Sequence, residues 1–159
     1  MASGHSSEEL SKARKKIASY CAYQERCQKE VRDKLYSYGL FKDEVEELIA
    51  WLITENFLNE ERYAQTYAGG KFRVKNWGRL KITQALQQKD ISAYCIKQGL
   101  KEIDEEEYLN TISKLARKKA TEFQQRFSNT YQLKDKVSRF LISRGFEPEL
   151  VWEILKTLS

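Results

Sequence analysis

Residues 137–158, VSRFLISRGFEPELVWEILKTL, carry a pattern of apolar residues that decides the fold, because two other stretches of the chain repeat it. The copies are residues 31–52, VRDKLYSYGLFKDEVEELIAWL, and residues 82–103, ITQALQQKDISAYCIKQGLKEI. The three stretches align without a gap. Self-similarity at a period of about 50 residues is typical of tandem-repeat proteins. The aligned apolar positions are Leu35, Leu86 and Leu141; Val45, Ile96 and Val151; Ile49, Leu100 and Leu155; and Leu52, Ile103 and Leu158.

Each copy predicts two helices joined by a tight turn. Gly39, Asp90 and Gly145 occupy one aligned position. A helix often ends at a residue in the left-handed conformation, which glycine adopts most readily and which strains Asp90. The apolar residue after the turn should pack against the last turn of the first helix. The predicted pairs are Leu40 with Leu35, Ile91 with Leu86, and Phe146 with Leu141.

A longer helix precedes each pair, at about residues 8–22, 59–75 and 105–127. The second of these begins at the N-cap Asn59 and is weakened by two adjacent glycines. A unit of three helices buries little surface alone, so neighbouring units should stack. The sequence therefore predicts an all-α protein of three tandem three-helix repeats that form an elongated, curved rod. The predicted limits are a disordered tail at residues 1–9 and repeats at residues 10–57, 58–103 and 104–159.

The composition excludes several classes of protein. The 159 residues include only 7 glycines and 1 proline, too few for a turn-rich β fold. The sequence shows neither an apolar run of about 18 residues nor a signal peptide, so we expect a cytoplasmic protein with reduced cysteines. His5 is the single histidine, and no phosphate-binding loop, zinc signature or nucleophile–base pattern occurs. We expect no catalysis, no cofactor, no metal site and a monomeric state.

Charge is distributed unevenly along the chain. Residues 41–62 hold seven acids and two bases, whereas residues 69–101 hold eight bases and one acid. Residues 114–144 hold nine bases and two acids. A helical protein whose charges serve only solubility would mix the two signs more evenly. The distribution predicts a partner that is anionic or carries a negatively charged patch.

The densest basic stretch, KFRVKNWGRLK at residues 71–81, opens the second repeat. Trp77 within it is either a core anchor at a helix junction or part of a binding surface. Helical angles place outward-facing lysine and glutamine side chains on the next helix, a set that suits phosphates or carboxylates. The candidate binding residues are Lys71, Arg73, Lys75, Arg79, Lys81, Gln84 and Gln88, with a second cluster of Arg117, Lys118, Lys119 and Arg126.

Several short motifs, in their order and spacing, resemble the RecX family of bacterial proteins that regulate the RecA recombinase. They are residues 26–40, LNEERYA at residues 58–64, GRLKI at residues 78–82 followed by Leu86, Lys89 and Ile91, RFL at residues 139–141 and RGF at residues 144–146. The resemblance covers residues 13–158. It implies a cofactor-free protein of three tandem repeats that binds in the groove of the RecA–DNA filament. It also implies inhibition of recombinase and coprotease activity, with single- or double-stranded DNA as a further partner.

Three features depart from the family pattern and bear on local stability. Cys27 stands where a capping serine is usual, Asp90 replaces a turn glycine, and Gly69 and Gly70 interrupt a helix. Two other functions remain open. A direct DNA-binding module would bind DNA without a partner protein and with strong salt dependence. An unrelated helical-repeat scaffold would bind neither filament nor DNA.

Overall fold

The computed structural model describes residues 4–158, and every regular element in that range is an α-helix. Three groups of three helices follow one another along the chain, which confirms the predicted all-α architecture of tandem three-helix units. The helices are α1 Ser7–Tyr23, α2 Gln28–Ser37, α3 Lys42–Thr54, α4 Glu60–Lys75, α5 Arg79–Gln88, α6 Ala93–Leu100, α7 Glu105–Phe123, α8 Thr130–Ser143 and α9 Pro148–Thr157.

Two helix limits differ from the sequence prediction. Helix α1 begins at Ser7, so the prediction of a disordered tail is wrong for residues 7–9. The Glu9 amide donates to the Ser6 hydroxyl at 3.2 Å, and the Glu9 carboxylate accepts from the Ser6 amide at 3.3 Å. This reciprocal capping satisfies two amides that the helix start leaves unpaired. Helix α7 ends at Phe123, which places Arg126 in the turn before α8. Residues 1–3 of the predicted tail lie outside the described residues.

The three aligned turns adopt the predicted left-handed conformation. The φ angle is +83° at Gly39, +60° at Asp90 and +95° at Gly145. In the second turn the Ile91 amide donates to the Leu86 carbonyl at 3.1 Å, and the equivalent hydrogen bond closes the third turn at 3.3 Å. The apolar residues before and after each turn are buried in all three units. The turn assignment is therefore confirmed. The turns fix the direction in which α3, α6 and α9 follow α2, α5 and α8.

Two hydrophobic cores hold the described helices together. Helices α1–α3 enclose the first, in which Ile17 and Leu52 are fully buried. Helices α4–α9 share the second, which includes Tyr108. Each core takes a residue from the neighbouring unit: Cys27, which precedes α2, packs in the second core, and Leu58, which precedes α4, packs in the first. The second and third units therefore fold around one interior, and the first is joined to them by this exchange.

Helices α4 and α6 approach closely because small residues line their contact. A Cβ atom on Gly99 would lie 2.7 Å from the backbone carbonyl of Ala64, a distance that real Cβ atoms do not tolerate. Gly69 is also buried, and a Cβ there would lie 2.7 Å from Nη1 of Arg73. Gly70 is exposed, with open space where a Cβ would be. Packing therefore explains Gly99, where the neighbour is backbone, whereas at Gly69 the close atom is the movable end of the Arg73 side chain. Gly70 only weakens the helix.

This contrast predicts opposite effects of two alanine substitutions. Gly70→Ala should raise the free energy of unfolding by roughly 0.5–1 kcal/mol, because alanine loses less backbone entropy in a helix. Gly99→Ala should lower it by about 1–3 kcal/mol, because the added methyl group forces α6 away from Ala64. Urea denaturation followed by circular dichroism measures both. A destabilising Gly70→Ala or a neutral Gly99→Ala would contradict the packing described here.

Candidate functional site

Trp77 lies in the link between α4 and α5, between two lysines that the sequence analysis selected. The Lys71 ammonium is 4.9 Å and the Lys81 ammonium 4.5 Å from the centre of a Trp77 ring. Lys71 also lies 5.4 Å from the Tyr67 ring centre. The indole is partly buried against the second core. One part of the Trp77 indole therefore anchors the link, as one of the two predictions for this residue held, and another part holds two cations by cation–π attraction.

The start of α5 is joined to the end of α8 by backbone hydrogen bonds. The Gly78 amide donates to the Arg144 carbonyl at 2.8 Å, and the Leu80 amide donates to the Gly145 carbonyl at 3.0 Å. The unpaired amides of one helix start thus meet carbonyls at another helix end, where the two helix dipoles attract. A Cβ on Gly78 would lie 2.3 Å from the Gly145 backbone, and a Cβ on Gly145 would lie 2.3 Å from Cβ of Lys81. Both glycines are therefore required by close approach.

Arg79 occupies the centre of this joint. Its Nε donates to Glu147 and its Nη1 donates to Glu105, both at 2.8 Å, and its guanidinium carbon is 4.0 Å from the Tyr108 ring centre. The Tyr108 hydroxyl donates to Glu147 and accepts from the Arg79 amide at 3.0 Å. Burial acts to lower the pKa of Arg79, but its hydrogen bond to Glu105 and the charge of Glu147 raise that pKa overall. Arg79, which the sequence predicted as a binding residue, therefore has its charge committed to ion pairs within the protein.

Tyr108 is the buried member of the same cluster, with no solvent-exposed surface. Burial and the hydrogen bond to Glu147 raise its pKa, so its hydroxyl remains a donor at physiological pH. Its ring also contacts Phe72 and Phe146, with ring centres 5.6 Å and 5.5 Å away. Tyr108 therefore links the interior of the second unit to that of the third.

The alternation of cations and rings continues into the third unit. The Arg144 guanidinium carbon is 5.2 Å, and the Lys119 ammonium 4.4 Å, from the Phe140 ring centre. Lys119 and Lys136 also lie 5.8 Å and 5.9 Å from the Phe123 ring centre. The two sets of cations and rings come closest where the Gly78 amide meets the Arg144 carbonyl. We call this surface the basic–aromatic strip; it comprises Lys71, Trp77, Lys81, Arg144, Phe140, Lys119, Phe123 and Lys136.

The structure brings some predicted binding residues to the strip and leaves others apart. Lys71, Lys81 and Lys119 belong to it, and Gln84 lines a groove beside it with Lys81. Gln88 lines a separate recess with Trp77 and Lys29. Arg73 donates to the Glu102 carbonyl at 3.3 Å, on the side of α4 that meets α6. Within residues 4–158, no ion pair or cation–π contact is formed by the remaining predicted cations, which are Lys75, Arg117, Lys118 and Arg126.

Sequence reasoning missed Arg144, Phe140, Phe123 and Lys136 as members of this surface. The first two lie on or just after α8, and the RFL and RGF motifs contain them without showing that they face α7. Lys119 lies 21 positions before Phe140 in the chain, so helical periodicity within either helix does not reveal their contact. Only the packing of α7 against α8 makes that contact.

We also searched the described part of the chain for a metal site, a nucleophilic cysteine and a membrane-spanning helix. No group of three or more His, Cys, Asp or Glu side chains there has the arrangement needed to hold a metal ion. Burial raises the pKa of the Cys21 and Cys27 thiols to about 11, which disfavours the nucleophilic thiolate. None of the described helices is long and apolar enough to cross a membrane.

Comparison with known proteins agrees with the repeat structure. A family model described as the second three-helix domain of RecX matches residues 59–100, and one described as the third three-helix domain matches residues 105–155. Regulatory protein RecX of Clostridium perfringens strain 13 is 36% identical over 132 residues, which is 83% of this chain and 61% of that protein. Regulatory protein RecX of Clostridium botulinum strain Eklund 17B is 33% identical over 129 residues, 81% of this chain and 60% of that protein. The chain thus spans about three fifths of the length of these relatives.

Solved structures give the same result. The crystal structure of RecX from Lactobacillus salivarius superposes with a TM-score of 0.87 at 25% identity, covering 96% of this chain and 98% of that one. A second crystal structure, of regulatory protein RecX, shares the fold with a TM-score of 0.81 and covers 93% of this chain and 73% of that one. The fold and the surface described above are those of an all-α protein of tandem three-helix units with a basic–aromatic face. The chain belongs to the RecX family of regulatory proteins.

The joint between the second and third units yields a stability prediction. Arg79→Ala should lower the free energy of unfolding by about 2 kcal/mol, because it leaves the half-buried Glu147 carboxylate without its cation. Lys75→Ala, at an exposed position four residues before it, should change that free energy by less than about 0.5 kcal/mol. Urea denaturation compares the two variants. Equal stability of the two would show that the Arg79 ion pairs do not stabilise the joint.

Proposed function

We propose that this protein binds a RecA-type nucleoprotein filament through the basic–aromatic strip and inhibits its recombinase and coprotease activity, in the cytoplasm and without a cofactor. Membership of a family of regulatory proteins supports a regulatory role. The filament as partner is what the sequence resemblance implies. The strip supplies the physical basis, because it presents cations on two consecutive units to one partner surface.

The observation that carries the proposal is that three cations of the strip have no carboxylate partner, whereas Lys119 pairs with Glu122 at 2.9 Å. Lys71, Lys81 and Arg144 form no ion pair with a carboxylate anywhere in residues 4–158. Each instead lies over an aromatic ring, which limits its motion and removes water from one side. Cations held in this way lose little conformational entropy when they bind an acidic surface. Their electrostatic field also speeds the approach of an acidic partner.

The joint makes the strip rigid across two units. Because Gly78 and Gly145 are in backbone contact and Arg79 links Glu105 to Glu147, the cations of the two units keep a fixed spacing. A filament repeats its surface from one protomer to the next, and a ligand with rigidly spaced contacts can engage two such sites with increased avidity. Additional filament contacts are proposed for exposed residues outside the strip, which are Lys75, Gln84, Gln88, Arg117, Lys118 and Arg126.

Charge reversal on the strip tests this function. The double variant Lys71→Glu/Lys81→Glu should lose at least about tenfold in inhibition of filament ATPase and strand exchange, because like charges would then face the acidic partner. Lys97→Glu, on the exposed face of α6 and away from the strip, is the matched control and should inhibit as the unchanged protein does. Inhibition is measured over protein amounts from sub-stoichiometric to equimolar with the recombinase.

Circular dichroism must show unchanged helix content for each variant, since Lys71 and Lys81 lie outside the joint's ion pairs. Full inhibition by the folded double variant would exclude the strip as the docking surface. Failure of the unchanged protein to inhibit, or to co-sediment with filaments, would exclude the proposed function itself.

Direct DNA binding is a second candidate, and the alternation of rings with cations along the strip favours it. Phosphates would contact the cations, and the aromatic edges would lie against the bases. Titration of labelled DNA at two salt concentrations, without recombinase, tests it. Tight binding that weakens steeply with salt, and that is lost in Lys71→Glu/Lys81→Glu, would support this candidate over filament docking.

A further inference from the structure

The first unit carries a second cationic surface, far along the chain from the strip and sharing no residue with it. It is a cleft of about 540 Å³ between the C-terminal half of α1 and helix α2. Lys15 and Lys16 enter it from α1, Arg26 from the loop between the helices, and Lys34 from α2. No carboxylate lines the cleft. None of the four cations has an ion pair within the described residues.

Three tyrosines form the rest of the cleft surface. Tyr20 and Tyr38 are partly buried against the first core, whereas Tyr23 is 82% exposed. An aromatic side chain left this open contributes little to the core. A ring of this kind next to four cations is typical of surfaces that stack planar ligands.

The cations are arranged around these rings. The Arg26 guanidinium carbon lies 3.7 Å from the Tyr20 ring centre, and its Nε donates to the Tyr20 carbonyl at 3.0 Å, which holds the guanidinium against the ring. Lys34 is 5.4 Å from the same ring, and Lys16 is 5.5 Å from the Tyr38 ring. The cleft therefore combines a fixed guanidinium plane and an open tyrosine ring with two lysines held beside them.

We infer that this cleft binds single-stranded nucleic acid. The lysines would contact consecutive phosphates, and unpaired bases would stack on Tyr23 and on the Arg26 guanidinium. An acidic peptide would use the cations but leave the exposed ring without a partner. In a duplex the bases are already stacked, so their faces do not reach the tyrosines. The cleft is shallow and open to solvent, so a strand could lie across it and continue along the surface.

This inference is independent of the proposed filament docking, because it uses the first unit and a bare strand. The test is fluorescence anisotropy of a labelled oligothymidylate of about 12 nucleotides, titrated with the full chain in the absence of recombinase. Tyr23→Ala should weaken binding roughly tenfold through lost stacking. Lys16→Glu should weaken binding by a similar factor, and the slope of log affinity against log salt should become shallower by about 0.7 or more. An abasic strand of equal length and charge should bind the unchanged protein roughly as weakly as the normal strand binds Tyr23→Ala.

Two matched controls test the position of the site. Tyr94→Ala removes an exposed tyrosine from α6, and Lys42→Glu reverses an exposed cation of the first unit outside the cleft. Both should bind the strand as the unchanged protein does. All four positions are exposed, so circular dichroism should show full helix content in each variant.

Three results would overturn the inference. One is absence of strand binding by the unchanged protein. A second is binding that Tyr23→Ala and Lys16→Glu leave intact while Lys71→Glu/Lys81→Glu removes it, which would assign DNA binding to the strip. The third is equal binding of duplex, abasic and normal strands, which would show that charge alone attracts them.

Discussion

The contact between the start of α5 and the end of α8 is the constraint on which the functional surface depends. Two glycines bring the backbones together, and amides at one helix start donate to carbonyls at the end of another. Arg79 then fills the space beside this contact and binds Glu105 and Glu147. An unpaired buried carboxylate or amide would be costly, so the cluster is stable only when all of its members are present. This requirement explains why Arg79, although it lies in a basic segment, forms ion pairs within the protein.

The first unit is held differently. Its own core is separate, and besides the exchange of Cys27 and Leu58 it contacts the second unit through polar groups. Arg62 donates to Glu25 at 2.6 Å, and the Gln28 amide donates to Glu60 at 3.0 Å. Burial raises the pKa of Glu60, as expected for a carboxylate enclosed between two units. Because the second and third units share one interior while the first has its own, the chain combines a rigid pair with a more independently held unit.

The two cationic surfaces follow this division. The strip spans the rigid pair and presents cations at a fixed spacing, which suits a large and repetitive partner. The cleft on the first unit is small and carries an exposed ring, which suits one flexible strand. In both, aromatic rings hold cations in place; on the strip Lys119 also pairs with Glu122, and three ion pairs of Arg62 and Arg79 lie at the joints between units.

The sequence alone determined the repeat, the turns and the helix starts. The left-handed conformation at Gly39, Asp90 and Gly145, the N-cap at Asn59 and the proline at the start of α9 depend on side chains a few residues apart, so local chemistry is enough to predict them. Tertiary structure decided which cations are available for binding. Arg79 meets Glu105 and Glu147 at separations of 26 and 68 residues, and Lys119 meets Phe140 across two helices. A charged residue looks the same in sequence whether its partner is solvent or a distant carboxylate, because the desolvation and pairing that distinguish the two arise only when the units pack.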